Sequence, residues 1–190
     1  MKRKQGFTLI ELIVVVAMIG ILTGILGVAL SHLGTYKIIG VTKETEVSLK
    51  ETRTKSMTKN AAAECGKTPD AETEYLYATK ISCKGGTYFL STGILEVKKD
   101  GSFIMVKENQ REKNLGKNLT ITFSTSEVQD EGWQAIDEEG IYVSFDRCTG
   151  STIGTKYGIL RQLRYENGAK NHDTILFIQH ETGRIHYEKK

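Results

Sequence analysis

The chain has one proline, Pro69, and neither an internal repeat nor a low-complexity stretch that would mark an array or a linker. Its three cysteines, Cys65, Cys83 and Cys148, form no C-x-x-C pair, so zinc and thioredoxin-like chemistry have weak support. No G-x-S-x-G nucleophile context, P-loop or G-x-G-x-x-G is present. Basic charge is scarce once the first six residues are set aside. Lys2, Arg3 and Lys4 account for the whole excess, and without them 23 Lys and Arg face 23 Asp and Glu. No global field then remains to drive nucleic-acid binding. What is present is a globular balance, 39% hydrophobic and 26% charged, distributed unevenly. A large share of the apolar residues sits in one block near the N-terminus, and the rest of the chain is polar and rich in Thr, Gly and Tyr.

That block runs from Phe7 to Leu30 with one charge, Glu11. As a helix its 24 residues span about 36 Å, enough for a hydrocarbon core of about 30 Å. The three basic residues before it should stay cytoplasmic, which places the remainder outside the membrane. A conventional signal peptide should have a shorter apolar region ending at a small-residue site, and Gly27 and Ala29 make a poor one. A plain anchor leaves Glu11 unexplained. An ionised carboxylate at membrane depth costs about 2.5–3.5 kcal/mol on insertion scales.

Cleavage between Gly6 and Phe7 would supply the missing compensation. It exposes an α-amino group at Phe7 and makes Glu11 the fifth mature residue. In a bundle of such helices the carboxylate can pair with the amino terminus of a neighbouring copy. Because the two groups sit at different heights, the pairing also selects an axial stagger. The helix dipole adds to the preference for an anion near this end.

The stretch Lys4-Gln-Gly6-Phe7-Thr-Leu-Ile-Glu11-Leu-Ile-Val-Val15 closely resembles the type IV prepilin N-terminal motif, over about the first 30 residues. The resemblance implies cleavage after Gly6 by a membrane-embedded prepilin peptidase and N-methylation of Phe7 by the same enzyme. It also implies assembly with other pilin or pseudopilin subunits by inner-membrane machinery of a pilus or type II secretion-like system. The location follows: a single-pass membrane protein first, then a filament outside. Many major pilins carry Pro near mature position 22, where this chain has Val28, which favours a minor pilin or pseudopilin. Gly20, Gly24 and Gly27 are expected to supply local looseness there instead.

The expected organisation is a leader at 1–6, a membrane-spanning or filament-core helix at 7–30, an amphipathic continuation at 31–63 and a β-rich head at 64–190. The continuation carries Leu33, Ile38, Val41, Val47 and Leu49 as apolar points. Its Thr-rich run Thr42–Thr58 is poor helix material that packing must hold. Alternation predicts strands over Glu74–Ser82, Thr87–Leu90, Ile94–Lys98, Ser102–Lys107, Leu119–Glu127, Ile141–Asp146, Gly158–Glu166, Thr174–His180 and Arg184–Glu188. Asp100-Gly101 marks a hairpin. The fold class is α+β, a long helix on a mostly antiparallel β head. Phe145-x4-Gly150, the strand Ile175–Ile178 and Thr182-Gly183-Arg184-Ile185 resemble the head of GspH/FimT-type minor pseudopilins, a family with a long helix and a two-sheet head.

Nothing here reads as an enzyme or calls for a cofactor. An exported domain permits a disulfide, with Cys65–Cys83 the favoured pair; a reducing setting leaves three thiols. His180 and His186 flank the terminal hairpin and, with Glu181 or Glu188, form a conceivable metal set whose plainer reading is a solvated polar face. His32 and His172 belong to no such set. The runner-up function is a DNA- or ligand-binding minor pilin of a DNA-uptake pilus. Some FimT-like proteins bind DNA through a Gly-Arg-x-Arg tail, here Gly183-Arg184-Ile185-His186, and Arg161, Arg164 and Arg184 are the candidate contacts.

Overall fold

The computed structural model describes residues 9–68, 72–117, 119–128, 131–154, 157–166 and 173–189. The chain forms two units, Met1–Lys37 and Ile38–Lys190. The first helix, α1, is Leu9–Thr58. Its stretch in the second unit belongs to the head.

That stretch buries one stripe at helical spacing: Ile38, Val41 and Thr42, Thr45, Leu49, Thr52 and Ser56. Four of the seven are hydroxyl residues, which are unfavourable in a helix because they compete for backbone groups. Here the competition is resolved within the helix. The hydroxyls of Thr42, Thr45 and Ser56 donate to the carbonyls of Ile38, Val41 and Thr52, four residues back, at 2.9–3.0 Å. Thr52 and Thr79 share a hydroxyl–hydroxyl bond of 2.7 Å. Val47, expected on the stripe, is 62% exposed; two residues from both Thr45 and Leu49, it points to the opposite side of the helix. The helix ends at Thr58. Asn60 then caps a short helix α2, Ala61–Glu64, accepting from the Ala62 and Ala63 amides.

Two five-stranded antiparallel sheets follow. Sheet A contains β1 (Thr73–Lys84), β2 (Thr87–Lys98), β3 (Phe103–Gly116), β6 (Ile141–Phe145) and β7 (Thr152–Ile153), in the order β3-β2-β1-β6-β7. Sheet B contains β4 (Thr120–Ser124), β5 (Gln134–Ala135), β8 (Gln162–Glu166), β9 (Thr174–Gln179) and β10 (Arg184–Lys189), in the order β10-β9-β8-β4-β5. Gly85 and Gly86, both at positive φ, turn β1 into β2, and the expected Asp100-Gly101 hairpin joins β2 to β3. Two differences from the sequence reading have local causes. Thr87–Leu90 and Ile94–Lys98 are one strand, because a register shift between Thr92 and Ile94 absorbs the irregularity at Gly93. β3 runs on to Gly116 through a charged stretch that hides its strand character, as suits the edge of a sheet.

The main core lies where α1 meets the inner faces of both sheets. Ile38 and Leu49 share it with Ile81, Val143 and Phe145 of sheet A and with Ile121, Phe123, Leu163, Tyr165 and Leu176 of sheet B. The Tyr165 hydroxyl is fully enclosed. It lies near Thr45 without meeting hydrogen-bond geometry, and burial pushes its pKa up. β1 is covered on both faces: Tyr77 packs with Ala61 and Ile94 on one side, Ala78 with Leu95 and Met105 on the other.

One clamp ties the elements together. The Arg53 Nε donates to the Gly150 carbonyl at 3.2 Å. A Cβ on Gly183, which sits at φ +60°, would lie 2.0 Å from that same carbonyl oxygen and 2.9 Å from Arg53 Nε. Only glycine allows this approach. Thr152, beside the clamp, takes its amide to the His180 carbonyl at 3.0 Å and its hydroxyl to His180 Nδ1 at 2.9 Å.

Candidate functional site

Leu9–Leu26 is long and apolar enough to cross a membrane, and none of it is buried. Leucine and β-branched aliphatic side chains surround the helix on every side, which is the pattern of a segment whose solvent is apolar all round. Leu9, Ile10, Leu12 and Ile13 are each more than half exposed, and Glu11 stands among them in the first turn. The carboxylate therefore sits where unsatisfied backbone amides and the helix dipole favour an anion. The Thr23 hydroxyl donates to the Ile19 carbonyl at 2.7 Å, so this stretch presents little polarity beyond Glu11. Gly20 and Gly24 have open space where a Cβ would point. Gly6 and Phe7 lie outside the described residues.

The other candidates fall in the head, apart from one another. No disulfide joins Cys65 to Cys83. Cys65 packs with Tyr77, and Cys83 against the main core. Tyr77 and Cys83 are six residues apart on one strand, about 20 Å, against a Cα limit of about 7 Å for a bridge. Cys148 is exposed.

Arg161 and Arg164 are engaged by carboxylates. Arg161 meets Glu127 at 2.6 Å; Arg164 pairs with Asp173, meets Glu166 at 2.7 Å and lies over the Trp133 ring. Arg184 is exposed at the start of β10. The three thus form no shared basic face: two are neutralised within sheet B and one stands at its edge. His180 is taken by Thr152, His186 stacks on Phe177 with centroids 5.2 Å apart, and His172 lies outside the described residues. Among the described residues no three His, Cys, Asp or Glu side chains gather as metal ligands.

Two features went unread in the sequence. The sequence marks the packed stripe of α1 by its apolar points and leaves Thr42, Thr45, Thr52 and Ser56 out of it; the signal was their spacing, not their type. The Arg53 clamp joins residues 97 apart in the chain, and no local pattern announces it.

Residues 1–27 match the family model for the prokaryotic N-terminal methylation motif. No curated protein and no solved structure matches the chain. The motif is the entry point for processing by prepilin peptidase and for assembly with other pilins, and the apolar helix with antiparallel sheets behind it agrees with an α+β pilin fold. The first 27 residues carry the motif of type IV pilin-like proteins, which supports a pilin-like structural role in a pilus or pseudopilus.

Proposed function

We propose that the chain is a minor pilin or pseudopilin, cut between Gly6 and Phe7, N-methylated at Phe7, held in the membrane by its apolar helix and then drawn into a filament. The observation that carries this reading is an 18-residue apolar stretch with no buried residue and a carboxylate in the first turn of the helix, inside the methylation motif. Such a surface cannot face water. A bilayer and a bundle of like helices are both apolar, so transfer from one to the other forfeits little burial.

Glu11 sets the register of that bundle. An ion pair at about 4 Å is worth about 4 kcal/mol at an effective dielectric of about 20. That is comparable with the 2.5–3.5 kcal/mol or so that the carboxylate costs at membrane depth, and hydrogen bonds must meet the further cost of burying the amine. The partner is the α-amino group that cleavage creates on Phe7 of the next copy. Glu11→Ala then leaves cleavage intact and impairs incorporation. The measurement is the ratio of the chain in sheared filaments to the chain left in membranes, and a wild-type ratio for Glu11→Ala counts against the pairing.

The two-sheet head and the close approach of Gly150 to Gly183 support the GspH/FimT-type subfamily. The DNA-contact reading gains no support from sheet B, where Arg161 and Arg164 are held by carboxylates.

A further inference from the structure

The end of the β2–β3 hairpin does not lie flat in its sheet. Phe103 pairs with Val97 and Val97 with Glu74, whereas Tyr142 pairs with Lys80. Along β1, Glu74 and Lys80 are separated by about 20 Å. Yet the Phe103 and Tyr142 rings lie 6.3 Å apart and 20° from parallel, and both pack on the buried cluster of Ala78, Leu95 and Met105. The hairpin end therefore curls back over this face of sheet A, and the register shift at Gly93 is where β2 can bend. A cleft of about 420 Å³ remains between the hairpin end, β1 and the loop before β6. It is lined by Lys80, Ser102, Phe103, Glu139, Tyr142 and Tyr157. One carboxylate holds two of its walls: Asp137 accepts from the Gly140 amide at 2.8 Å and from the Tyr157 hydroxyl at 3.1 Å. A Cβ on Gly140, at φ +77°, would lie 2.4 Å from the Ile81 carbonyl oxygen, so only glycine lets this loop press against β1. The walls are thus set before a ligand arrives.

We propose that this cleft binds a neutral pyranose sugar. Its volume lies in the range of small-molecule sites, and its lining is amphipathic in the way a pyranose is. The C–H bonds on the face of a sugar ring are polarised by the oxygens beside them, so they are attracted to the negative face of an aromatic ring. Phe103, Tyr142 and Tyr157 supply such rings. The hydroxyls at the sugar's edge both donate and accept, and Lys80, Ser102 and Glu139 answer them in kind. Lys80 and Glu139 bring one charge of each sign, which disfavours an anion or a cation relative to a neutral ligand. A wholly apolar ligand would displace water from both charges and return no hydrogen bond. The Lys80 ammonium already lies over the Tyr142 ring, 5.1 Å from its centroid, so it is held at the cleft rather than sweeping through solvent. The site goes beyond the filament reading and does not need it, because every residue of the cleft belongs to the head.

The test uses the full-length chain in a polyoxyethylene detergent, which carries no sugar of its own. The probes are the methyl pyranosides of glucose, galactose, mannose and N-acetylglucosamine, which between them sample the common hydroxyl orientations. Saturation-transfer NMR should show saturable binding of at least one, with the strongest transfer to the ring C–H protons. Phe103→Ala should weaken that binding about tenfold by removing an aromatic wall. Glu139 is exposed, so Glu139→Ala tests the polar side without threatening the fold, and it should also weaken binding about tenfold. Absence of saturable binding by all four sugars would overturn the proposal, as would binding that neither variant changes. Tighter binding of tetramethylammonium or of indole than of every sugar would also overturn it, by giving the rings to a cation or to an aromatic ligand. A chain that keeps its first six residues should bind the same sugar, whereas the filament reading is judged by the mature N-terminus, so the two can fail separately.

Discussion

Two stretches of α1 invert the usual relation between composition and burial. Leu9–Leu26 is almost wholly apolar and has no buried residue. The stretch from Ile38 to Thr58 is rich in Thr, Lys and Glu, yet its inner stripe is enclosed, with Thr42, Thr45 and Leu49 fully buried. Hydropathy describes the solvent a segment needs, not the burial its own chain provides. The apolar stretch finds no cover in its own chain, and a membrane or neighbouring helices would supply it. The polar stretch satisfies its hydroxyls on its own backbone and on Thr79, and so enters a core that its composition would not suggest.

The sharpest way to separate the two stretches is to truncate one side chain in each. Leu49→Ala should cost about 3 kcal/mol, because the removed side chain is fully enclosed and leaves a cavity. Ile13→Ala should leave the melting of the head unchanged, as the side chain is exposed and is no part of the buried core. Thermal unfolding of the full chain in detergent compares them, and equal losses would break the contrast.

A smaller effect tests the polar core. Thr52→Val removes the hydroxyl that meets Thr79 and should cost about 1 kcal/mol. Adding Thr79→Val should recover most of that loss, since no buried hydroxyl is then left without its partner. Chemical denaturation of the single and double variants reads the coupling. A double variant weaker than the sum of the singles would contradict it.

The smallest effect at neutral pH concerns Tyr165. Its hydroxyl gains nothing from the core, so Tyr165→Phe should change stability by no more than about 1 kcal/mol, in the stabilising direction. The pH dependence is more telling. An unfolded phenol titrates near 10.0; burial raises Tyr165, and burial together with the Glu64 hydrogen bond raises Tyr77. The folded state therefore keeps protons that the unfolded chain gives up. Stability should be level below pH 10 and decline as pH rises above it toward the folded pKa. Tyr165→Phe should shallow that decline. An unchanged slope would show that Tyr165 is not sealed in the core.

The sequence made legible whatever rests on local pattern. The apolar block, the position of Glu11 and the Asp100-Gly101 hairpin are all readable from neighbours in the chain, and so are the strands flanking the Glu181–Gly183 turn. Val47 misled because it is apolar, while the helical phase that buries Thr45 and Leu49 turns it outward. β5 and β7 have two residues each, too short for any alternation to register. The choice between a Cys65–Cys83 bridge and three thiols was open for want of a distance: sequence gives the loop length but not the run of one strand between two clusters. Arg161 and Arg164 looked available as cations, and only the fold brings Glu127 and Asp173 to them.

The central claim is that Leu9–Leu26 is bare because the chain is processed and assembled through it. Intact-mass and N-terminal sequencing of the protein from its native membrane test this most directly. The expected mature chain begins with N-methylated Phe7 and places Glu11 fifth. A native chain that retains Met1–Gly6, or that begins beyond Glu11, would contradict the account.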